Sequence, residues 1–275
     1  MRYSFFILFT FSIIRPQTLP LELARLYAGA KNYTASINEY NRHLFFNKRS
    51  SNNTKVLIEL YNCYKATENW AKALVTVEKA YLSTNSDSTK DIILTDKAII
   101  LMSKGETYRA EMILTRISTF TKYKSIKNES FYWLGLCHLF SYKWLQAKNN
   151  FHKYYGKLYK QQIDSMFARS SQLDIKSPPK ARVLSFVIPG LGQFYSKDYK
   201  NGINSLILNL LTSCLFFNSL IEKNYFDAII IYYIPFERYY WGSSSNAELI
   251  AQNYNHKTNQ KFANSVLESI ENLQN

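Results

Sequence analysis

The chain has 275 residues, 47% of them hydrophobic, enough for one large core or two modest ones, so disorder is not its default state. Its 34 Lys/Arg against 20 Asp/Glu leave a formal charge of +14, and residues 21–170 hold 23 of those bases against 12 of the acids. Such a field draws anionic lipid, acidic protein or nucleic acid, and it is also what a solvated Lys-rich helical surface carries. Cys63, Cys137 and Cys214 form no C-x-x-C pair, which argues against a disulfide framework and against a structural zinc site.

The first element is an apolar run from Tyr3 to Ile14 behind Met1-Arg2. It is too short to span a bilayer and has the length of the apolar part of an export signal, although Arg15-Pro16-Gln17-Thr18 offers no small-residue cleavage site. The expectation is a signal peptide over residues 1–19, with the segment after it placed outside the cytoplasm of a bacterial envelope.

From there to residue 175 a period of 37 governs the chain. Ser36, Ala73, Ala110 and Ala147 are spaced by it, each with a larger apolar or aromatic residue four positions on: Tyr40, Val77, Leu114 and Phe151. Tyr33, Trp70, Thr107 and Trp144 precede them by three, and Ala24, Tyr61, Ala98 and Gly135 by twelve. Several columns sharing one spacing mark stacked supersecondary units. Within each unit the apolar residues recur at helical spacing in two stretches. Val56, Leu57, Leu60, Tyr61 and Tyr64 are followed, after a polar break at 66–69, by Trp70, Ala73, Leu74, Val77 and Ala80. Cys63 and Cys137 occupy one repeat position, two units apart, and read as small core residues. Residues 156–175 continue the helical pattern as a cap, and Pro178-Pro179 predicts a helix stop and a domain boundary.

Beyond 176 the composition changes. Pro189, Gly190 and Gly192 interrupt an apolar run, Ile203–Ile221 carries no charge, and a second apolar run covers 225–241. The first meets the minimum for a membrane span, and Asn204, Asn209 and Asn218 ask for a hydrogen-bonding partner helix. The pair predicts a hairpin within a module over 176–242. Residues 243–275 predict a polar amphipathic tail helix, with Ala247, Ala251, Phe262, Val266 and Ile270 on its apolar stripe.

The residues W-L-G-L-C-H at 133–138 with Trp144, Ala147 and Phe151, and N-W-A-K-A-L-V-T-V-E-K-A at 69–80, resemble the tetratricopeptide repeat family over about residues 20–156. The resemblance implies an all-α solenoid of four helical hairpins that binds a protein or peptide in a groove. By repeat register that groove would be faced by Lys55, Asn62, Lys65, Ile99, Met102, Tyr132 and Leu136. The period here is three residues longer than that family's, and Tyr61 stands where the family has a small residue. Residues 176–195, K-S-P-P-K-A-R-V-L-S-F-V-I-P-G-L-G-Q-F-Y, resemble the two-transmembrane domain found at the C-terminus of bacterial tetratricopeptide proteins. Pro189, Gly190, Gly192, Gln193, Tyr195 and Gly202 carry that likeness, which implies a turn packed against a membrane hairpin and no activity.

Sites for chemistry are scarce. His43, His138, His152 and His256 are scattered without metal-ligand spacing, and they read as structural. G-L-G-Q-F-Y lacks the third glycine and the Lys-Ser/Thr of a nucleotide loop, and no G-x-S-x-G occurs. No cofactor, metal or catalytic residue is expected. The sequence therefore predicts a non-enzymatic membrane-tethered adaptor with a protein partner and lipid contact. An integral membrane protein whose C-terminal module acts in transport or membrane assembly is the alternative. A soluble basic nucleic-acid-binding protein ranks third, because the aromatic residues needed for base stacking fall on packing columns.

Overall fold

The structure, a computed structural model, describes residues 19–48 and 53–273. The expected signal peptide therefore lies, but for Leu19, outside the described residues. Every element among the described residues is helical, as the all-α reading requires. The chain divides into two compact units: one runs to Ser141 and takes in Asn149–Gly156, and the other comprises Tyr142–Lys148 and Lys157–Asn275.

The first unit contains α1 (Leu19–Gly29), α2 (Tyr33–Phe46), α3 (Asn53–Ala66), α4 (Trp70–Leu82), α5 (Asp87–Ser103), α6 (Thr107–Phe120), α7 (Lys124–Phe140) and the later part of α8 (Trp144–Tyr155). From α1 to α7 each helix packs against the next in the chain. Three-residue connectors join α1 to α2, α3 to α4 and α5 to α6, and they share one backbone. Lys31, Glu68 and Gly105 have positive φ (58°, 54° and 85°), and Tyr142 follows at the same spacing with 60°. The amide of the next residue then reaches back five positions, Asn32 to Tyr27 O (2.8 Å), Asn69 to Tyr64 O (2.9 Å) and Glu106 to Leu101 O (2.9 Å). This is the left-handed C-terminal cap of a helix. The same asparagines cap the helix that comes next, accepting from the amides of Ala35 and Lys72. One dipeptide thus ends one helix and starts the next.

The periodic columns are buried. Ser36, Ala73, Ala110 and Ala147 are all fully inaccessible, as are Val77, Leu114 and Phe151. Small side chains let helix backbones approach, and Ser36 adds a 2.7 Å hydrogen bond from its hydroxyl to Ala24 O. At Gly135 a Cβ would stand 2.6 Å from the Phe151 ring, so the glycine makes room for the aromatic. Tyr61, the bulky departure, is fully buried and donates its hydroxyl to Asp96 Oδ2 at 2.6 Å. Burial, then the Asp96 charge, pushes that phenol well above its ordinary pKa. Cys63 and Cys137 are buried and unbridged.

The second unit holds the start of α8, α9 (Lys160–Phe167), α10 (Pro178–Val187), α11 (Leu191–Tyr195), α12 (Tyr199–Ile221), α13 (Tyr225–Ile231) and α14 (Glu237–Asn272). The two prolines do not stop a helix. They open α10 as its first residues behind the N-cap Ser177, where a missing amide costs nothing. Between α13 and α14 the π-helical residues Tyr232–Phe236 accommodate Pro235, and the helix continues without interruption into α14. The expected step from hairpin to tail near residue 242 is therefore no break in the backbone. Its Gly-Ser-Ser-Ser stretch is helical because α10 packs along α14 through Ala181, Ala247 and Ala251, all fully buried.

Candidate functional site

In the second unit the P-G-L-G-Q-F-Y segment is a clasp. Gly190 ends the turn after α10 with φ 100°, and a Cβ there would lie 2.5 Å from Gly202 O. A Cβ on Gly192 would lie 1.9 Å from Ala181 O, so α11 touches α10 backbone to backbone. The Gly192 amide donates to Ser185 Oγ at 2.8 Å. Ser185 in turn donates to Gln193 Oε1 at 2.6 Å, and Gln193 Nε2 donates to Ser243 O at 2.9 Å. Gln193 is fully buried, and its amide joins α10, α11 and α14.

Beside it, Tyr195 accepts the Ser177 amide (3.0 Å) and receives the cations of Lys176 and Lys180 on its ring, each 5.3 Å from the centroid. Asn255 exchanges two 2.7 Å hydrogen bonds with the backbone of Lys176. Asp174 accepts from Lys176, Lys197 and Tyr254, and these partners hold its carboxyl far below the usual carboxylate range. Every polar group of the clasp that the motif supplies is turned to a neighbouring helix.

The hairpin differs. α12 and α13 pack together, joined through Lys223 and Asn224 by the same left-handed connector as in the repeats. Of the three asparagines expected to reach a partner helix, Asn209 alone does, with a long 3.5 Å contact to Tyr239 O. Asn218 turns to Glu222 of its own helix, and Asn204 is exposed. Ile207, Leu210, Leu211, Leu215 and Phe217 are at least half exposed.

The groove residues expected in the first unit lie on α3, α5 and α7. Lys55 and Asn62 are exposed, and Ile99 and Met102 are half-buried. Lys65 is paired with Asp96 at 3.3 Å. Tyr132 is enclosed by aromatics, 5.1 Å from Tyr154 and 6.2 Å from Phe151. Leu136 is buried, so it offers no side chain to a partner and leaves the set.

No protein-family model and no curated protein matches the chain. His138 lies between Asn150, which donates to Nδ1 at 2.9 Å, and Glu111, 3.1 Å from Nε2, an arrangement that satisfies both ring nitrogens. Among the described residues no group of three or more His, Cys, Asp or Glu is placed to hold a metal ion. What the sequence reading missed is the turn column, because Lys, Glu, Gly and Tyr share no chemistry. Only Gly105 advertises the conformation all four adopt.

Proposed function

We propose that the chain is a non-enzymatic, membrane-tethered adaptor: a tetratricopeptide-like array of four helical hairpins that holds a protein partner, anchored by the α12–α13 hairpin. The observation that carries the tether is α12. It has 23 residues with no charge from Asn201 to Ile221, and only 11% of its most apolar stretch is buried. Its length, about 35 Å, matches the hydrocarbon core of a bilayer. A core helix of a water-soluble protein with that composition would be covered, and an exposed apolar surface of that extent is an interaction site.

The second arm is shorter in apolar length. Asp227 lies in the first turn of α13, at the hairpin tip, and Glu237 and Arg238 come roughly 15 Å farther along. In this reading α12 crosses the whole bilayer, while the second arm is apolar through the leaflet nearer the tip. On the other side Tyr239, Tyr240 and Trp241, with Phe186 5.6 Å from Trp241, would form an interfacial aromatic cluster. The apolar start would place the repeats outside the cytoplasm of a bacterial envelope. Lys176, Lys180, Lys197 and Lys200 at the hairpin base oppose that sidedness, which protease accessibility in intact cells decides. A transport role for the module finds no support in Gln193, because its amide is occupied by Ser185 and Ser243.

The test is extraction. The full chain should stay with membranes in high salt and alkaline carbonate and leave them only with detergent. The Leu211→Arg/Leu215→Arg variant should be released or degraded, since each arginine at mid-span costs about 3 kcal/mol. Release of the unaltered chain by carbonate would remove the tether.

A further inference from the structure

The first unit carries a groove of about 620 Å³ over α2, α3 and α4, on residues the repeat register did not single out. Leu44, Leu57 and Leu60 line it, and Phe45 and Val75 leave more than half their surface open to it. Lys48, Lys72 and Lys79 also line it, and no carboxylate does. Several other cations of this unit are paired: Arg25 with Glu59, Lys65 with Asp96, Lys97 with Glu78, Lys104 with Glu106. The three groove lysines have no carboxylate partner among the described residues. Lys48 and Lys72 rest only over the rings of Phe45 and Tyr64, at 5.1 and 5.9 Å.

One period along the chain the positive charge is partly offset. Asn41 becomes Glu78, which pairs with Lys97, and Lys72 becomes Arg109, which pairs with Glu106. The cavity over α4, α5 and α6 includes Asp87 and Asp91 beside Lys90, Arg116 and Lys122. Of the two grooves the first, with three lysines and no carboxylate, is thus the more positive.

We propose that this groove binds an acidic amphipathic helical segment of a partner protein. Its leucine-lined floor takes apolar side chains, and its unpaired lysines require negative charge. Lys72 and Lys79 are two turns apart on α4, about 10 Å, farther than one phosphate or carboxylate can bridge. Carboxylates two turns apart on a bound helix meet that spacing. The proposal rests on the adaptor reading only in taking the partner to be a protein, and it does not depend on the membrane.

The experiment uses the full chain in nanodiscs of zwitterionic lipid and a fluorescein-labelled peptide of about 15 residues, long enough to hold a helix. The peptide presents Leu on one face and Glu on the other, and a twin carries Lys for Glu. Fluorescence anisotropy should show binding of the Glu peptide that weakens with salt, and none of the Lys twin. Lys72→Glu/Lys79→Glu should weaken it by about tenfold or more, with circular dichroism and melting unchanged because both side chains are exposed. Lys72→Arg/Lys79→Arg should keep it. Glu-peptide binding indifferent to the Glu variants, equal binding of the Lys twin, binding of neither peptide, or laurate binding in the peptide's place would each overturn the groove. None of these outcomes touches the membrane tether, which stands or falls on extraction.

Discussion

Gln193 is where one residue matters most to the second unit. Truncation to alanine leaves Ser185 Oγ and the Ser243 carbonyl without their partner in a buried place and opens a cavity, so Gln193→Ala should cost about 2–4 kcal/mol, read by chemical denaturation in detergent. Gln193→Glu should be no rescue, because a carboxylate cannot donate to Ser243 O. A second residue sets a pH dependence in the repeats. Burial, reinforced by the Arg25 charge, lowers the His43 pKa below its ordinary value of 6.5. A group whose folded pKa is depressed takes up its proton more readily in the unfolded chain. The stability it contributes is present above about pH 6.5 and is lost as the pH falls below that value. The melting temperature should therefore drop between about pH 7.5 and 5.5, and His43→Gln should flatten that drop. Much at this scale was legible in the sequence. The small and large columns of the period are the buried residues, and Cys63 and Cys137 are core positions. The hydrogen bond from Tyr61 to Asp96 was not legible, because its two residues come from different repeats and neither alone signals the other.

Among the elements, the connectors make the most specific claim. Among the described residues five other than glycine adopt positive φ, and all five end a helix: Lys31, Glu68, Tyr142, Lys197 and Lys223. An L-residue there pays roughly 1 kcal/mol relative to glycine, so Glu68→Gly should raise stability by about 0.5–1 kcal/mol, measured as a shift in melting temperature. A fall would mean that the Glu68 side chain makes a contact worth more than the strain. The same connector between α12 and α13 joins the hairpin that the apolar runs predicted. Two elements read differently in the fold. Pro178 and Pro179 start a helix rather than ending one, because Ser177 is extended and caps α10. Residues 242–245 look like a turn by composition and are helical, because the surface of α10 supplies the packing that Gly-Ser-Ser-Ser lacks in propensity. Local sequence cannot report a partner helix 60 residues away.

For the whole molecule, two units obey two rules. In the first, buried small residues recur every 37 positions and many polar side chains pair across helices, while the groove over α2, α3 and α4 carries three lysines and no carboxylate. In the second, polar side chains turn inward to a clasp while the apolar ones of α12 and α13 face outward. That inversion is what a lipid environment favours, and it is the reason a tether is proposed. The natural cysteines allow the most direct test. Cys214 is exposed near the middle of α12, whereas Cys63 and Cys137 are buried in the repeats. In membranes opened on both sides, a charged, membrane-impermeant maleimide should leave Cys214 unlabelled until the chain is unfolded in detergent, because lipid excludes the reagent. Rapid labelling of Cys214 in those untreated membranes would mean that α12 faces water, and the tether would be contradicted.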